Sequence, residues 1–360
     1  MLKILDKYII KQYLVTFFFM LGVIMILSMV FDLSDRLGEF IDNQASFTEI
    51  IFDYYLNFVL YFGNLFSPLI IFLSVIWFTA KLAQNTEIIP MINSGRNFTR
   101  ILRPYLIGAT ILMLLSLVLN HFVLPNANKS RLAFEEQYYR NSHYVNDYHA
   151  QFPGNKTIYF DSYYSDEGIA NDFVLEQRDE NNKMLKLLRA KKAAYNDTTG
   201  VWTFTNYHIR TYSSNTINEK ITEGKQLDTL IDVALTNMTQ RDNIVMTMGF
   251  FEVNEFIKSK RAEGSPNVAA YEIEYFQRTS LPFATYVLTV IGLAVSSRKK
   301  RGGIGVSIAI GLGLVFVYIF AMQITTVAAV NVGFPTLLAV WLPNMIFAVL
   351  GLILYRFAPK

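Results

Sequence analysis

The chain has 360 residues, 52% of them hydrophobic and 17% charged, with a formal net charge of +3 and no cysteine. Disulfide staples are thereby excluded, and a metal centre is disfavoured because no thiolate can contribute to one. The near balance of charge is an average over unlike parts of the chain, because the charged residues are segregated from long runs that carry none, and no nucleic-acid partner is expected.

Taken in chain order, residues 12–31, 54–80 and 104–128 have no formal charge, and the same holds for 279–297 and for the unbroken run 302–355. Each is long enough to cross a bilayer core of about 30 Å at roughly 1.5 Å per helical residue. The last run is long enough to cross twice, with its natural fold-back at Asn331, Gly333 and Pro335. The pattern predicts a polytopic α-helical membrane protein of six transmembrane helices, three before and three after one inserted polar block. The expected divisions are a membrane half over 1–127, a β-rich domain over 128–278 and a second membrane half over 279–360.

Within the polar block, residues 157–161, 172–176, 184–189 and 202–210 are rich in aromatic and branched side chains and read as strands. Asp179 to Asn182 and Asn196 to Gly200 supply turns. Trp202 and Phe204 alternate with threonines, which predicts one buried and one wet face. A sandwich or open jelly-roll is expected, followed by helical segments over 254–278 that lead back to the bilayer. The aromatic face is read either as an ordinary core or as an apolar route for lipid.

Sidedness follows from the basic residues. Lys3, Lys7 and Lys11, then Lys81, Arg96, Arg100 and Arg103, then Arg298, Lys299, Lys300 and Arg301, and finally Arg356 and Lys360 fall on one side, against the acids Asp6 and Glu87. The opposite loop, 32–53, holds Asp32, Asp35, Glu39, Asp42, Glu49 and Asp53 with the single base Arg36. Short loops rich in Lys and Arg stay in the cytoplasm, so both termini are expected there and the block 128–278 is expected outside. A cleavable signal peptide is the weaker reading of the first span, whose apolar stretch is long and lacks a small-residue cleavage site.

Catalytic signatures are missing. No G-x-x-x-x-G-K-[ST] sequence occurs, and Gly154, Asn155, Lys156 and Thr157 read as a turn. His121, His143, His149 and His208 lack metal-ligand spacing, and no serine sits in a G-x-S-x-G context. No catalytic residue, metal ligand or cofactor is therefore expected. The apolar runs hold no Asp, Glu, Lys or Arg, which argues against a proton relay. Their amides, Asn57, Asn64, Asn120, Gln323 and Asn344, are expected to hydrogen-bond between helices. Ser307, Ala309, Gly311 and Gly313 place small residues four apart and permit close helix contact, either within the chain or with a partner subunit. Any energy source must lie in another chain.

The loop between the second and third spans carries Glu87, Ile88, Ile89, Met91, Ile92, Ser94 and Gly95. Asn85 or Thr86 could cap a short helix over about 85–95, with Glu87 in its first turn and Gly95 closing it. Its apolar face could lie on the membrane or seat in a cytoplasmic ATPase. This loop, the head Leu5 to Ile9, and the segment Tyr271 to Pro282 together resemble the LptF/LptG (YjgP/YjgQ) family of lipopolysaccharide export permeases. Pro90 and Asn93 depart from that family's usual coupling segment.

The resemblance implies an inner-membrane subunit that pairs with a second LptF/LptG-type permease and with a cytoplasmic ABC ATPase dimer of the LptB type. It implies lipopolysaccharide as substrate, membrane lipids around the spans, and periplasmic bridge proteins of the LptC and LptA type. Glu87, Ile88, Ile89, Met91, Ile92, Ser94 and Gly95 would then couple to the ATPase. In the family a basic residue near the outer end of the first span contacts the lipid's phosphorylated head, and Arg36 is the base found there. The alternatives are a lipoprotein-release or efflux permease, and a membrane sensor or scaffold that needs no ATPase.

Overall fold

The computed structural model describes residues 3–87, 98–139, 144–152, 154–164, 168–179, 181–196, 198–212, 219–231, 242–265, 267–297 and 303–357. The chain divides into a helical unit (1–134, 245–250 and 269–360) and a second unit (135–244 and 251–268) built on a sheet.

The helical unit begins with α1, Ile4–Asp42, which runs on past the apolar stretch to take in the acidic loop residues and Arg36. The Asp6 carboxylate accepts the Lys3 backbone N–H at 2.9 Å, satisfying an amide that the helix start would leave orphaned. The predicted second span is interrupted. A short helix, Phe47–Glu49, and a π-helical turn, Ile50–Tyr55, lead into α2, Leu56–Leu65, and after Phe66 into α3, Ser67–Gln84. Pro68 lies in the first turn of α3, where its missing N–H costs least.

The third span is made by α4, Phe98–Val118, a π-helical turn Leu119–Val123, and α5, Leu124–Tyr138. After the sheet come α6, Phe250–Ala262, α7, Val268–Ser296, α8, Gly303–Val332, and α9, Thr336–Arg356. Gly333, at φ +74°, makes the reversal between α8 and α9 where the sequence predicts it. Six helical stretches among the described residues are long and apolar enough to cross a membrane.

Six strands form one antiparallel sheet in sequential order: β1 Tyr144–Phe152, β2 Lys156–Tyr164, β3 Ile169–Arg178, β4 Met184–Asn196, β5 Val201–Tyr212 and β6 Glu219–Leu230. The expected β-rich insertion thus takes the form of a meander among the described residues. Its turns follow from local chemistry. Asp179 Oδ1 accepts the N–H groups of Asn181 and Lys183, and Asn196 Oδ1 accepts those of Thr198 and Thr199. One face buries Ile158, Phe160, Phe173, Leu188, Trp202 and Phe204.

A crease crosses this sheet. Asp147, Asp172 and Asn206, in the middles of β1, β3 and β5, have φ of 51°, 50° and 52°. At the same level each ladder is interrupted, as where β3 and β4 step from Asn171–Lys192 to Phe173–Ala190. A left-handed residue changes which face the following side chains occupy. Ala170 and Phe173, an odd number of residues apart, are therefore both buried. Asp and Asn tolerate that conformation better than other non-glycine residues do, so the sequence places them there.

Candidate functional site

The helical unit has two ends that matter. At the end bearing the termini, α3 closes and α4 begins. Thr86, at φ +62°, follows α3. Its N–H bonds Ala83 O at 3.2 Å, and that of Glu87 bonds Leu82 O at 2.9 Å. These two bonds form a Schellman closure with Thr86 in the position usually given to glycine. Thr86 therefore ends α3 and does not cap a following helix, because an N-cap residue needs extended dihedrals. Glu87 is half-buried and its carboxylate accepts Asn85 Nδ2 at 3.2 Å. Ile88, Ile89, Met91, Ile92, Ser94 and Gly95 lie outside the described residues.

At the far end, Arg36 projects from α1 and pairs with Glu39 at 3.2 Å. Asp32 is engaged by other donors: the hydroxyl of Tyr54 donates to its carboxylate at 2.9 and 3.1 Å, and that of Tyr55 at 3.3 Å. The Arg36–Glu39 pair spans one turn and leaves the guanidinium about one-third exposed, so it contributes little to stability.

The small residues of α8 separate into two rows. Ser307 and Gly311 are buried, and a Cβ at Gly311 would collide with Ile76 Cδ1 of α3. That row is a contact within the chain. Ala309 and Gly313 face away and are exposed, with open space around a Cβ built at Gly313.

The amides also divide. Asn64 Nδ2 donates to Asn120 Oδ1 at 2.9 Å, and Asn344 joins Tyr318 to the Ser280 carbonyl. These bonds link helices, as expected. Asn57 instead donates to the carbonyls of Phe52 and Asp53 within its own turn of chain.

The sequence missed one cluster outright. Arg278 of α7 is 5% exposed and donates to Met248 O at 2.9 Å and to Val245 O at 2.7 Å. Asn128, 2% exposed, donates to Met246 O at 3.2 Å, and the Arg131 guanidinium lies 4.5 Å from the centre of the Tyr61 ring. Arg278 and Asn128 fasten residues 245–248, where the chain re-enters the helical unit, and with Tyr61, Glu274 and Gln277 they line a cavity. The available signal was positional: α7 begins well before its uncharged run, so Arg278 sits on a buried face of the same helix.

These features define a six-span helical membrane protein with an inserted antiparallel sheet. Residues 7–356 match the family described as lipopolysaccharide export system permease LptF/LptG, and the chain belongs to that family. A comparison with curated proteins found no match. The protein is accordingly a multi-pass inner-membrane subunit of a lipopolysaccharide export system, a transporter component and not an enzyme, and it works with partner proteins.

Proposed function

We propose that this chain is a permease subunit that extracts lipopolysaccharide from the inner membrane and passes it to a periplasmic bridge of LptC- and LptA-like proteins. An LptB-like cytoplasmic ATPase dimer drives it, and a second LptF/LptG-type permease completes the transmembrane pathway. The observation that carries this reading is the family match over 7–356, on a chain whose uncharged runs hold no Asp, Glu, Lys or Arg.

The excess of Lys and Arg at the terminus-bearing end supports a cytoplasmic location for that end and a periplasmic one for the sheet. Glu87 and the residues after it then face the ATPase, with Ile88, Ile89, Met91 and Ile92 as the apolar contact. Ala309 and Gly313, exposed on α8, allow close approach of the second permease. Arg36 offers the lipid phosphate a charge-assisted contact once it releases Glu39.

Glu87→Lys tests the coupling. The variant is expected to insert normally while losing either the co-purified ATPase or lipopolysaccharide export. Full export by this variant would remove Glu87 from the coupling contact, because exposed substitutions elsewhere shift stability by only about 0.5 kcal/mol.

A further inference from the structure

We infer that the Asp6–Arg100 ion pair is a positioning device that makes α1 follow the first turn of α4, carrying movement from the α3–α4 loop to the Arg36 end of α1. Asp6 is 2% exposed, and Arg100 Nη2 reaches its carboxylate at 2.7 Å. Arg103 adds a second positive charge to the carboxylate's surroundings. A buried ion pair is weak grounds for stability, because desolvation offsets much of the attraction. Its geometric consequence is firmer: separating the helix ends would strip the Asp6 carboxylate, 3% exposed, of the guanidinium that covers it, so the two ends favour moving together.

A second attachment lies farther along the same two helices. Tyr13 of α1 is fully buried against Gly108 of α4, where any Cβ would collide with its ring, and its ring centre lies 6.3 Å from that of Tyr105. The attachments are seven residues apart on α1 and eight on α4, roughly 10 to 12 Å along each helix. Two fixed points prevent either helix from pivoting on the other. Thr99, next to Arg100, bonds the Tyr355 hydroxyl of α9 at 3.1 Å, so the start of α4 is a junction of three helices. Arg36 lies 30 residues beyond Asp6 on one continuous helix, about 45 Å along its axis.

This inference rests on the assignment of the α3–α4 loop to the ATPase, and the test keeps the two apart. Full-length chain would be co-expressed with its ATPase and second permease, with a photo-crosslinker at Leu37, and reconstituted in phospholipid vesicles containing lipopolysaccharide. Lipopolysaccharide capture per ATP hydrolysed would be measured for Asp6→Asn, Arg100→Gln and the charge-exchanged double variant Asp6→Arg with Arg100→Asp. The single variants are expected to retain the ATPase and hydrolyse ATP while capture per ATP falls roughly 2- to 30-fold. The exchanged pair should recover most of the loss, including any loss of inserted protein, which a merely absent contact would not allow.

Unchanged capture in the single variants overturns the inference, as does an exchanged pair no better than the singles. Loss of the bound ATPase in the single variants also overturns it, because the pair would then build the docking surface and not transmit from it. Normal export by Glu87→Lys would instead strike at the loop assignment.

Discussion

The helical unit and the sheet use polar residues in opposite ways. Apolar side chains are nearly uniform along the spans, and lipid is as apolar as leucine, so burial alone cannot tell one helix which neighbour to choose. That choice falls to a few hydrogen bonds: Tyr13 to Thr289 at 2.8 Å, Thr79 to Tyr105 at 2.9 Å and Thr110 to Tyr286 at 2.8 Å. In the sheet, a compact aromatic core supplies the specificity, with Trp202 and Phe204 stacked at 5.7 Å. There Asp147, Asp172 and Asn206 bend the backbone so that both sides of the crease serve one core. A polar residue in the spans selects a partner, whereas one in the sheet sets a direction.

The contrast predicts unequal costs. Trp202→Ala should destabilise the sheet unit by about 3–5 kcal/mol, the cost of emptying an aromatic core site. Tyr13→Phe should cost about 0.6 kcal/mol, the mean for a hydrogen bond between membrane helices. Thermal unfolding followed by protease sensitivity in the sheet, and by aggregation of the detergent-solubilised chain, measures both. Similar costs for the two variants would erase the distinction.

Next in size is the difference between the two rows of α8. Gly311→Leu should destabilise the isolated chain by about 1–3 kcal/mol, because the added side chain must displace Ile76. Gly313→Leu should leave the isolated chain unchanged and reduce co-purification of the second permease. Equal effects on the isolated chain would mean that both rows pack internally.

A smaller effect than that of Gly311→Leu concerns the crease. Asp172→Val should cost about 1–2 kcal/mol, since a β-branched residue resists the left-handed conformation, while Asp172→Gly should be nearly neutral. Melting temperature decides between them, and a tolerated valine would show that the crease relaxes easily.

Much of this fold was legible because a bilayer demands a fixed length of uncharged chain, which residues 12–31 and 302–355 display openly. β2 to β5 were legible from their aromatic and branched residues. β1 and β6 were not: they form the two edges, and β6 is exposed along most of its length, so no apolar alternation marks it. The crease was hidden for a related reason, because one left-handed residue breaks the two-residue period on which strand reading depends. Arg278 was hidden by the habit of ending a span where charge begins, although its helix starts at Val268. At the candidate site, Arg36 was marked by standing alone among acids, but its partner Glu39 was decided by helix geometry, three residues on.

The most direct test of the account places a photo-crosslinker at Leu37, beside Arg36, in the assembled exporter. Lipopolysaccharide should be captured there, with more captured when ATP hydrolysis is blocked after loading, and Arg36→Glu should lower capture and export more than Arg36→Lys, because reversal repels phosphate while lysine keeps the charge. Adducts to protein alone, together with normal export by Arg36→Glu, would contradict the account and place the lipid's path elsewhere.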